Sequence, residues 1–290
     1  MTAVKVQRAT AKNSVTYVYG VARASRGSQP VLPRFEGIVA DAPVYPLVHE
    51  DLIAFVSAVP SNRFGASEFR AALGDTDWLK ERILAHEKTL EELRSSDDVV
   101  PFRFGTIYLE SSHVTDMLAR HRAALCQALE RIQGASEWGM KLYCDADALR
   151  HWIEAESDSI RQLRDMLAKA SPGARFFLQK KYAGAIDSEA VGIIASSVRR
   201  IRRSLDGAAR ESTEIEVQPP AAHGRSTAMV MNAAYLVSKG SLMQFRQAVA
   251  ALRDEFAACG FDHEITGPWP PYHFVSILQE GAVDAAESVQ

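Results

Sequence analysis

The stretch Thr266-Gly267-Pro268-Trp269-Pro270-Pro271-Tyr272-His273-Phe274-Val275 limits what this chain can fold into more than any other part of it. Each of its three prolines holds φ at about −65° and lacks a backbone donor. Helix is excluded here, and a strand inside a sheet is disfavoured. Gly267 can supply a positive φ for a sharp exit from a strand. The residues predict a rigid, partly polyproline-like bend that presents Trp269 and Tyr272. Beyond it, Phe274, Val275, Ser276 and Ile277 resume a strand. A backbone stiffened around an indole either plugs a core or presents a surface.

The rest of the chain must supply the body for that bend. Its 290 residues suit one or two domains. Hydrophobic residues at 47% and charged residues at 24% are ordinary for a globular protein. A net charge of −3 argues against general affinity for nucleic acid or anionic membrane. Cys126, Cys144 and Cys259 are far apart, which fits neither a disulfide framework nor a metal site and suits a reducing cytosol. No apolar run reaches the length of a membrane span. Met-Thr-Ala-Val-Lys carries no apolar signal core. Residues 1–14 and 279–290 read as mobile tails.

Val15 to Ala22, rich in Val and Tyr, reads as a strand. A loop from Ser25 to Pro33 follows, then strands at Phe35–Ala40, Val44–Val48 and Leu52–Val59, an antiparallel meander. Asp77 caps a helix to Arg94 with Leu79, Ile83, Leu90 and Leu93 on one face. Val99 to Tyr108 reads as a strand. Ser111 or Ser112 caps a second helix, with Val114, Met117, Leu118, His121, Leu125, Ala128, Leu129 and Ile132 at helical spacing. The outcome is an N-terminal α+β domain over residues 15–136, an antiparallel sheet with helices on one face.

Gly134-Ala135-Ser136 marks the boundary of a second domain, residues 137–278. Trp138 to Cys144 is its first strand. Leu149, Ile153, Glu156, Ile160, Leu163 and Leu167 then step by four and three. Val191, Ile194, Val198, Ile201, Leu205 and Ala208 step likewise. That spacing is a coiled-coil seam. With Ser171-Pro172-Gly173 between the two series, a helical hairpin over 146–210 follows, its arms at 146–170 and 174–210. Glu156, Lys180, Gly184 and Asp187 interrupt the seam. A short strand at Glu214–Val217, a strand at Met229–Val237, a helix from Ser241 to Cys259 and a strand at Phe261–Thr266 complete β-α-β-β-α-β. This is a modified ferredoxin-like arrangement whose first crossover is lengthened into the hairpin.

Common catalytic signatures are absent: no GxxxxGK[ST], no Gly-rich dinucleotide turn, no HExxH, no GxSxG. In Asp262-His263-Glu264, alternation puts the carboxylates on one strand face and the imidazole on the other, so the three cannot converge on a metal. Arg199-Arg200-x-Arg202-Arg203 flanks Ile201 on the seam. It reads as pairing with acids such as Glu154, Asp158 or Asp165 on the facing helix, not as a phosphate grip. Arg103 lies between Phe102 and Phe104 and reads as structural, stacked on a ring or held in a domain-interface ion pair. A partner carboxylate is the functional alternative. Trp269 has two readings, an interface anchor on a stiff loop or an indole packed between domains. Burial is the commoner fate of tryptophan.

Four segments together carry a family resemblance. Gly267-Pro268-Trp269-Pro270-Pro271-Tyr272, followed by Phe274-Val275, resembles the terminal signature of the gas vesicle protein F/L family. Tyr17-Val18-Tyr19-Gly20-Val21 resembles its opening strand. Val99-Val100-Pro101-Phe102-Arg103-Phe104-Gly105-Thr106 resembles its mid-chain strand. Gly173-Ala174-Arg175-Phe176-Phe177-Leu178-Gln179-Lys180-Lys181 resembles the opening of its second long helix. The order matches over roughly residues 15–278. Residues 1–14 and His273 depart from the pattern. The resemblance implies two α+β domains, one of them modified ferredoxin-like, joined with coiled-coil helices. It also implies a non-enzymatic accessory or minor component of gas vesicle assembly, in the cytoplasm and at the vesicle, that needs no cofactor. Its partners would be the small hydrophobic shell protein and other gas vesicle accessory proteins. Trp269, Pro270, Pro271, Tyr272, Phe274, Arg103 and Phe104 are the candidate interaction or domain-interface residues. Two alternatives come from other classes. One is an enzyme with haem or oxidative chemistry in a sheet-lined pocket, using His273, Tyr272 and Arg103. The other is an oligomerisation scaffold acting through the hairpin.

Overall fold

The computed structural model describes residues 13–24 and 36–275. The expected loop at Ser25–Pro33, the start of the strand expected from Phe35, the strand continuation at Ser276–Ile277 and nearly all of both tails lie outside the described residues. The chain forms two compact units, Met1–Gly134 with Pro270–Gln290, and Ala135–Trp269. Residues 270–275 therefore go with the first unit, where the sequence reading had run the second domain on to 278. The reason is burial of Phe274 and hydrogen bonding of the half-buried Tyr272 to His86 and Glu87, all with residues of the first unit.

In the first unit, β1 (Ser14–Arg23) pairs antiparallel with β3 (Leu52–Pro60), which forms a hairpin with β2 (Tyr45–His49). Residues 36–40 are bends and a turn instead of the expected strand. The Ile38 amide donates to the Tyr19 hydroxyl at 2.7 Å, so this segment is satisfied by a side chain and not by a ladder. Next come α1 (Ser61–Phe64), α2 (Ala66–Ala72) and α3 (Thr76–Arg94). The N-cap of α3 is Asp75, two residues before the expected Asp77. Its carboxylate accepts from the Asp77 and Trp78 amides, both at 3.1 Å. Leu90 and Leu93 are buried, but Ile83 is exposed at the edge of the apolar face.

The expected strand at 99–108 is two short pieces, β4 (Val100–Pro101) and β5 (Ile107–Tyr108), both paired with β1. Between them the chain turns, with the Thr106 amide donating to the Arg103 carbonyl at 3.2 Å. Gly105 sits there at φ 83°, a conformation that a side chain makes costly. The sheet order is β2-β3-β1-β4, with β5 also beside β1.

Helix α4 (Ser111–Ile132) buries Val114, Met117, Leu118, Leu125, Ala128, Leu129 and Ile132, the stripe its sequence predicts. Tyr17 and Tyr19 share a cluster with Leu90 and Leu93 of α3, and no buried residue of α4 belongs to it. Val15 to Ala22 are nonetheless buried at every position. Helices therefore cover both faces of this sheet, a correction to the one-face expectation. Continuous burial of β1 leaves no solvent face for alternation to show.

The second unit opens with β6 (Ala135–Cys144). Helices α5 (Ala146–Glu156), α6 (Asp158–Ala168) and α7 (Pro172–Asp206) follow. The expected first arm at 146–170 is broken at Ser157, whose hydroxyl caps α6. Both α5 and α6 pack on α7. Leu149, Ile153, Ile160, Ile201, Leu205 and Ala208 of the predicted seam are buried, but Val191 is 69% exposed.

After α7 come β7 (Glu211–Glu214), α8 (Pro220–His223), β8 (Ala228–Ser238), α9 (Leu242–Phe256) and β9 (Phe261–Trp269). The strand expected at Glu214–Val217 ends where it was to begin. The sheet is antiparallel in the order β7-β8-β6-β9. Trp138, Met140 and Leu142 point into a core shared with Ile201, Leu205 and Phe245.

Strand β9 runs on through Pro268, past Thr266 where the sequence reading ended it, while the disfavoured internal position is avoided. Two features permit it. β9 is an edge strand, where a missing donor faces no neighbour. Its register also shifts between Glu137 and Gly139, before Trp269 pairs with Glu137. Gly267 takes φ 128° at that shift, and a Cβ there would stand 2.8 Å from the Glu137 carbonyl oxygen. Of the strand expected at Phe274–Ile277, Phe274 lies instead in a 3₁₀ turn, Tyr272–Phe274, and Val275 is in no regular element.

The position of the α3 cap yields a test. Asp75→Ala removes two capping bonds and is expected to lower stability by about 1 kcal/mol in urea unfolding. Asp77→Ala removes only a favourable first-turn charge and is expected to cost roughly a few tenths of that unit.

Candidate functional site

Three of the segments singled out in the sequence meet inside the first unit, at a residue the sequence reading passed over. His86 of α3 is fully buried. Its Nδ1 lies 2.9 Å from the Tyr17 hydroxyl of β1. Its Nε2 lies 3.1 Å from the Phe102 carbonyl oxygen and 3.3 Å from the Tyr272 hydroxyl. The carbonyl can only accept, so the network assigns the proton to Nε2. Nδ1 is then the acceptor, and Tyr17 donates to it. Tyr17 in turn accepts from the Gly105 amide at 3.1 Å, and Tyr272 donates to Glu87 Oε1 at 2.9 Å. Aromatic rings enclose the imidazole: Tyr19 stacks on it at 5.8 Å, with Tyr17 and Phe104 edge-on at 5.7 and 6.0 Å.

The electrostatics follow from this enclosure. Burial holds the His86 imidazolium down to a pKa of about 4, although the Phe102 carbonyl acts the other way. Burial also raises the Glu87 carboxyl, opposed by the bond from Tyr272 and by Arg94. Tyr17 and Tyr272 are pushed up, chiefly by burial, and stay protonated donors. A second tyrosine pins the neighbouring loop: Tyr19 donates to Ser57 Oγ at 3.0 Å, and Ser57 donates to the Ala42 carbonyl at 3.0 Å.

The terminal segment is anchored at two further points. Phe274 is buried, the Arg131 guanidinium lies 5.9 Å from its ring centre, and Arg131 Nη1 donates to its carbonyl at 3.0 Å. Pro270 and Pro271 are buried as well. Of the sequence-selected residues, Tyr272 and Phe104 come together at His86. Arg103 does not join them: its side chain is exposed and makes no ion pair with the described residues. Trp269 closes β9 in the second unit with 46% of its surface exposed, where burial had been the favoured reading.

Comparison with known proteins gives this arrangement a context. A family model described as "Gas vesicle synthesis protein GvpL/GvpF" matches residues 15–276. The chain belongs to the GvpL/GvpF family. It is 31% identical over 274 residues to gas vesicle protein L of Streptomyces sp. (strain CB03234), covering 94% of this chain and 97% of that protein. It is 28% identical over 265 residues to gas vesicle protein F of the same strain, covering 90% and 99%. Its fold resembles the crystal structure of GvpF from Anabaena sp. PCC7120, with a TM-score of 0.67 at 20% identity over 90% of this chain and 98% of that one. Family membership gives the chain a gas vesicle-related role.

In this GvpL/GvpF chain, His86 was detectable in principle. Leu79, Ile83, His86, Leu90 and Leu93 step by four and three, so an imidazole occupies one position of an apolar helical stripe. Elsewhere the arginine cluster pairs differently from expectation. Arg200 meets Glu255 of α9 at 2.9 Å and Arg202 meets Glu214 of β7, instead of acids on the facing helix. Asp262 and Glu264 both bind Arg225, at 2.6 and 3.1 Å, while His263 points to the other face of the strand and lines a cavity with Met140 and Leu142. Among the described residues, no group of three His, Cys, Asp or Glu side chains is placed to hold a metal. No described helix is long and apolar enough to cross a membrane.

His86 makes stability depend on pH with a definite sign. Its pKa is about 6.5 unfolded and about 4 folded. The folded state therefore binds fewer protons in that interval. The stabilisation is complete above about pH 6.5 and is lost as pH falls to about 4, a change on the order of 3 kcal/mol. The raised Glu87 acts with the opposite sign in the acid part of this range, since its folded form holds its proton longer. Urea midpoints from pH 7 to 4 are expected to fall for the wild type and to fall less steeply for His86→Gln.

Proposed function

We propose that this chain is a non-enzymatic accessory or minor structural protein of gas vesicle assembly. It binds the small hydrophobic shell protein and other gas vesicle accessory proteins, in the cytoplasm and at the vesicle. Membership of the GvpL/GvpF family supports the context. The observation that carries the binding reading is Trp269: a large indole 46% exposed, one residue before a proline pair buried in the first unit. Its backbone is already ordered in the β6–β9 ladder, so docking costs it little conformational entropy. Tryptophan so placed is the residue type that dominates interface energies.

The physical task suits such a protein. A shell subunit with an apolar gas-facing side aggregates if left uncovered before it is incorporated. A soluble partner that covers this side and then releases it needs binding and no bond chemistry. The strand order β7-β8-β6-β9 supports reading the second sheet as ferredoxin-like, with its first crossover lengthened into α5, α6 and α7. The packing of α6 on α7 supports reading that crossover as a helical hairpin of coiled-coil character, interrupted at Ser157. The three cysteines are all free, in keeping with a reducing compartment.

Co-purification with the shell subunit from cells making both proteins tests the proposal. Wild type is expected to retain the subunit, and Trp269→Ala to retain at least about tenfold less, with its circular dichroism unchanged. A wild type that never retains the shell subunit would contradict direct binding.

A further inference from the structure

The apolar face of the second sheet is not completely filled. A cavity of about 120 Å³ is lined by Met140 and Leu142 of β6, Phe261 of β9, Ile201 of α7, and Leu252 and Phe256 of α9. Leu252 and Phe256 are one helical turn apart, and strand alternation brings Phe261 and His263 to the same side of β9. One imidazole therefore stands among hydrocarbon. His263 lines the cavity, and its Nε2 is buried with no hydrogen-bond partner among the described residues. A buried polar nitrogen left unmet is costly, so a molecule that supplies its partner is favoured there.

Arg253 of α9 also lines the cavity. It is exposed and makes no ion pair among the described residues. Burial, and then the nearby Arg253 guanidinium, hold the His263 imidazole below its usual range, with Asp262 acting the other way. The ring is therefore neutral at pH 7. Two acids of the same elements are already matched: Asp262 binds Arg225 at 2.6 Å, and Glu255 binds Arg200 at 2.9 Å. One unmatched cation beside a neutral imidazole suits a monoanion better than a dianion. A carboxylate can accept from a guanidinium and from an imidazole N–H at once. Size sets the rest of the ligand. A dry apolar cavity of about 150 Å³ admits benzene, so this slightly smaller one admits a chain of about five carbon atoms. Water is a poor occupant of the apolar end, because it needs at least about two polar partners.

We infer that the cavity between the second sheet and α9 binds a short-chain monocarboxylate. The hydrocarbon tail lies among Met140, Leu142, Ile201 and Phe256. The carboxylate accepts from Arg253 and, as the half-buried His263 ring turns toward it, from Nε2–H. The inference stands on this cavity alone and is independent of the role proposed for Trp269.

The test uses the full chain with labelled histidine rings, titrated at pH 7 and followed by NMR, with the His263 signals assigned from the spectrum of His263→Gln. Hexanoate is expected to shift the His263 ring signals saturably and to move the titration of that ring to higher pH, since a neighbouring carboxylate favours the imidazolium. Hexan-1-ol and hexylamine share the tail, and acetate shares the head. Each is expected to bind at least about tenfold more weakly than hexanoate. Arg253→Gln, a change at an exposed position, is expected to weaken hexanoate binding by a similar factor, with its circular dichroism unchanged. The inference is overturned if hexanoate causes no saturable shift, if hexan-1-ol, hexylamine or acetate binds as tightly as hexanoate, or if folded Arg253→Gln binds as wild type does.

Discussion

A single neutral imidazole ties together the parts of the first unit that are furthest apart in sequence. His86 bridges Tyr17 near the start of the chain, the Phe102 carbonyl in its middle and Tyr272 near its end. Hydrogen bonds of this kind contribute little net energy while satisfied, but leaving one buried partner unmet costs about 1–3 kcal/mol. The network is therefore more a specification than a reservoir of stability. It fixes the tautomer of His86, the turn at Gly105 and the place where the terminal segment lies down. Phe274 and Arg131 hold the same segment from the side of α4.

The second unit works by a different rule. Its sheet is antiparallel throughout, with an apolar face bearing Trp138, Met140 and Leu142 and a polar face bearing Lys141 and Tyr143. On the polar face, Arg225 lies 4.2 Å from the Tyr143 ring centre while it binds Asp262 and Glu264. The unit ends on an edge strand that tolerates Pro268 and leaves Trp269 half uncovered. Beyond Trp269, the chain belongs to the first unit. The signature stretch thus divides its labour: an exposed indole on one side of the division, and a buried Pro-Pro with a half-buried Tyr272 on the other.

How much of this was legible depended on periodicity. The stripe of α4 could be read residue by residue, because a 3.6-residue repeat over six turns leaves little room for another answer. The opposed faces of Asp262 and His263 were legible for the same reason, with period two. The break at Ser157 was not, since three-four spacing continues across it and only the serine cap marks it. The turn at Arg103–Thr106 was missed because Val, Phe and Tyr on either side mimic one continuous strand. His86 was missed because a polar residue in an apolar stripe looks like an interruption until its three partners are brought to it. The partners of Arg200 and Arg202 lie on α9 and β7, elements whose closeness to α7 only the tertiary fold reveals. The exposure of Trp269 ran against the ordinary tendency of indoles to be buried.

The most direct test of this account is the protonation state of His86, read from long-range nitrogen–proton NMR correlations of the labelled imidazole as pH is lowered from neutrality. The account predicts a neutral ring with its proton on Nε2, remaining neutral until about pH 4. A ring already charged near pH 6, or one carrying its proton on Nδ1, would contradict the claim that the Tyr17, Phe102 and Tyr272 segments are held together through it.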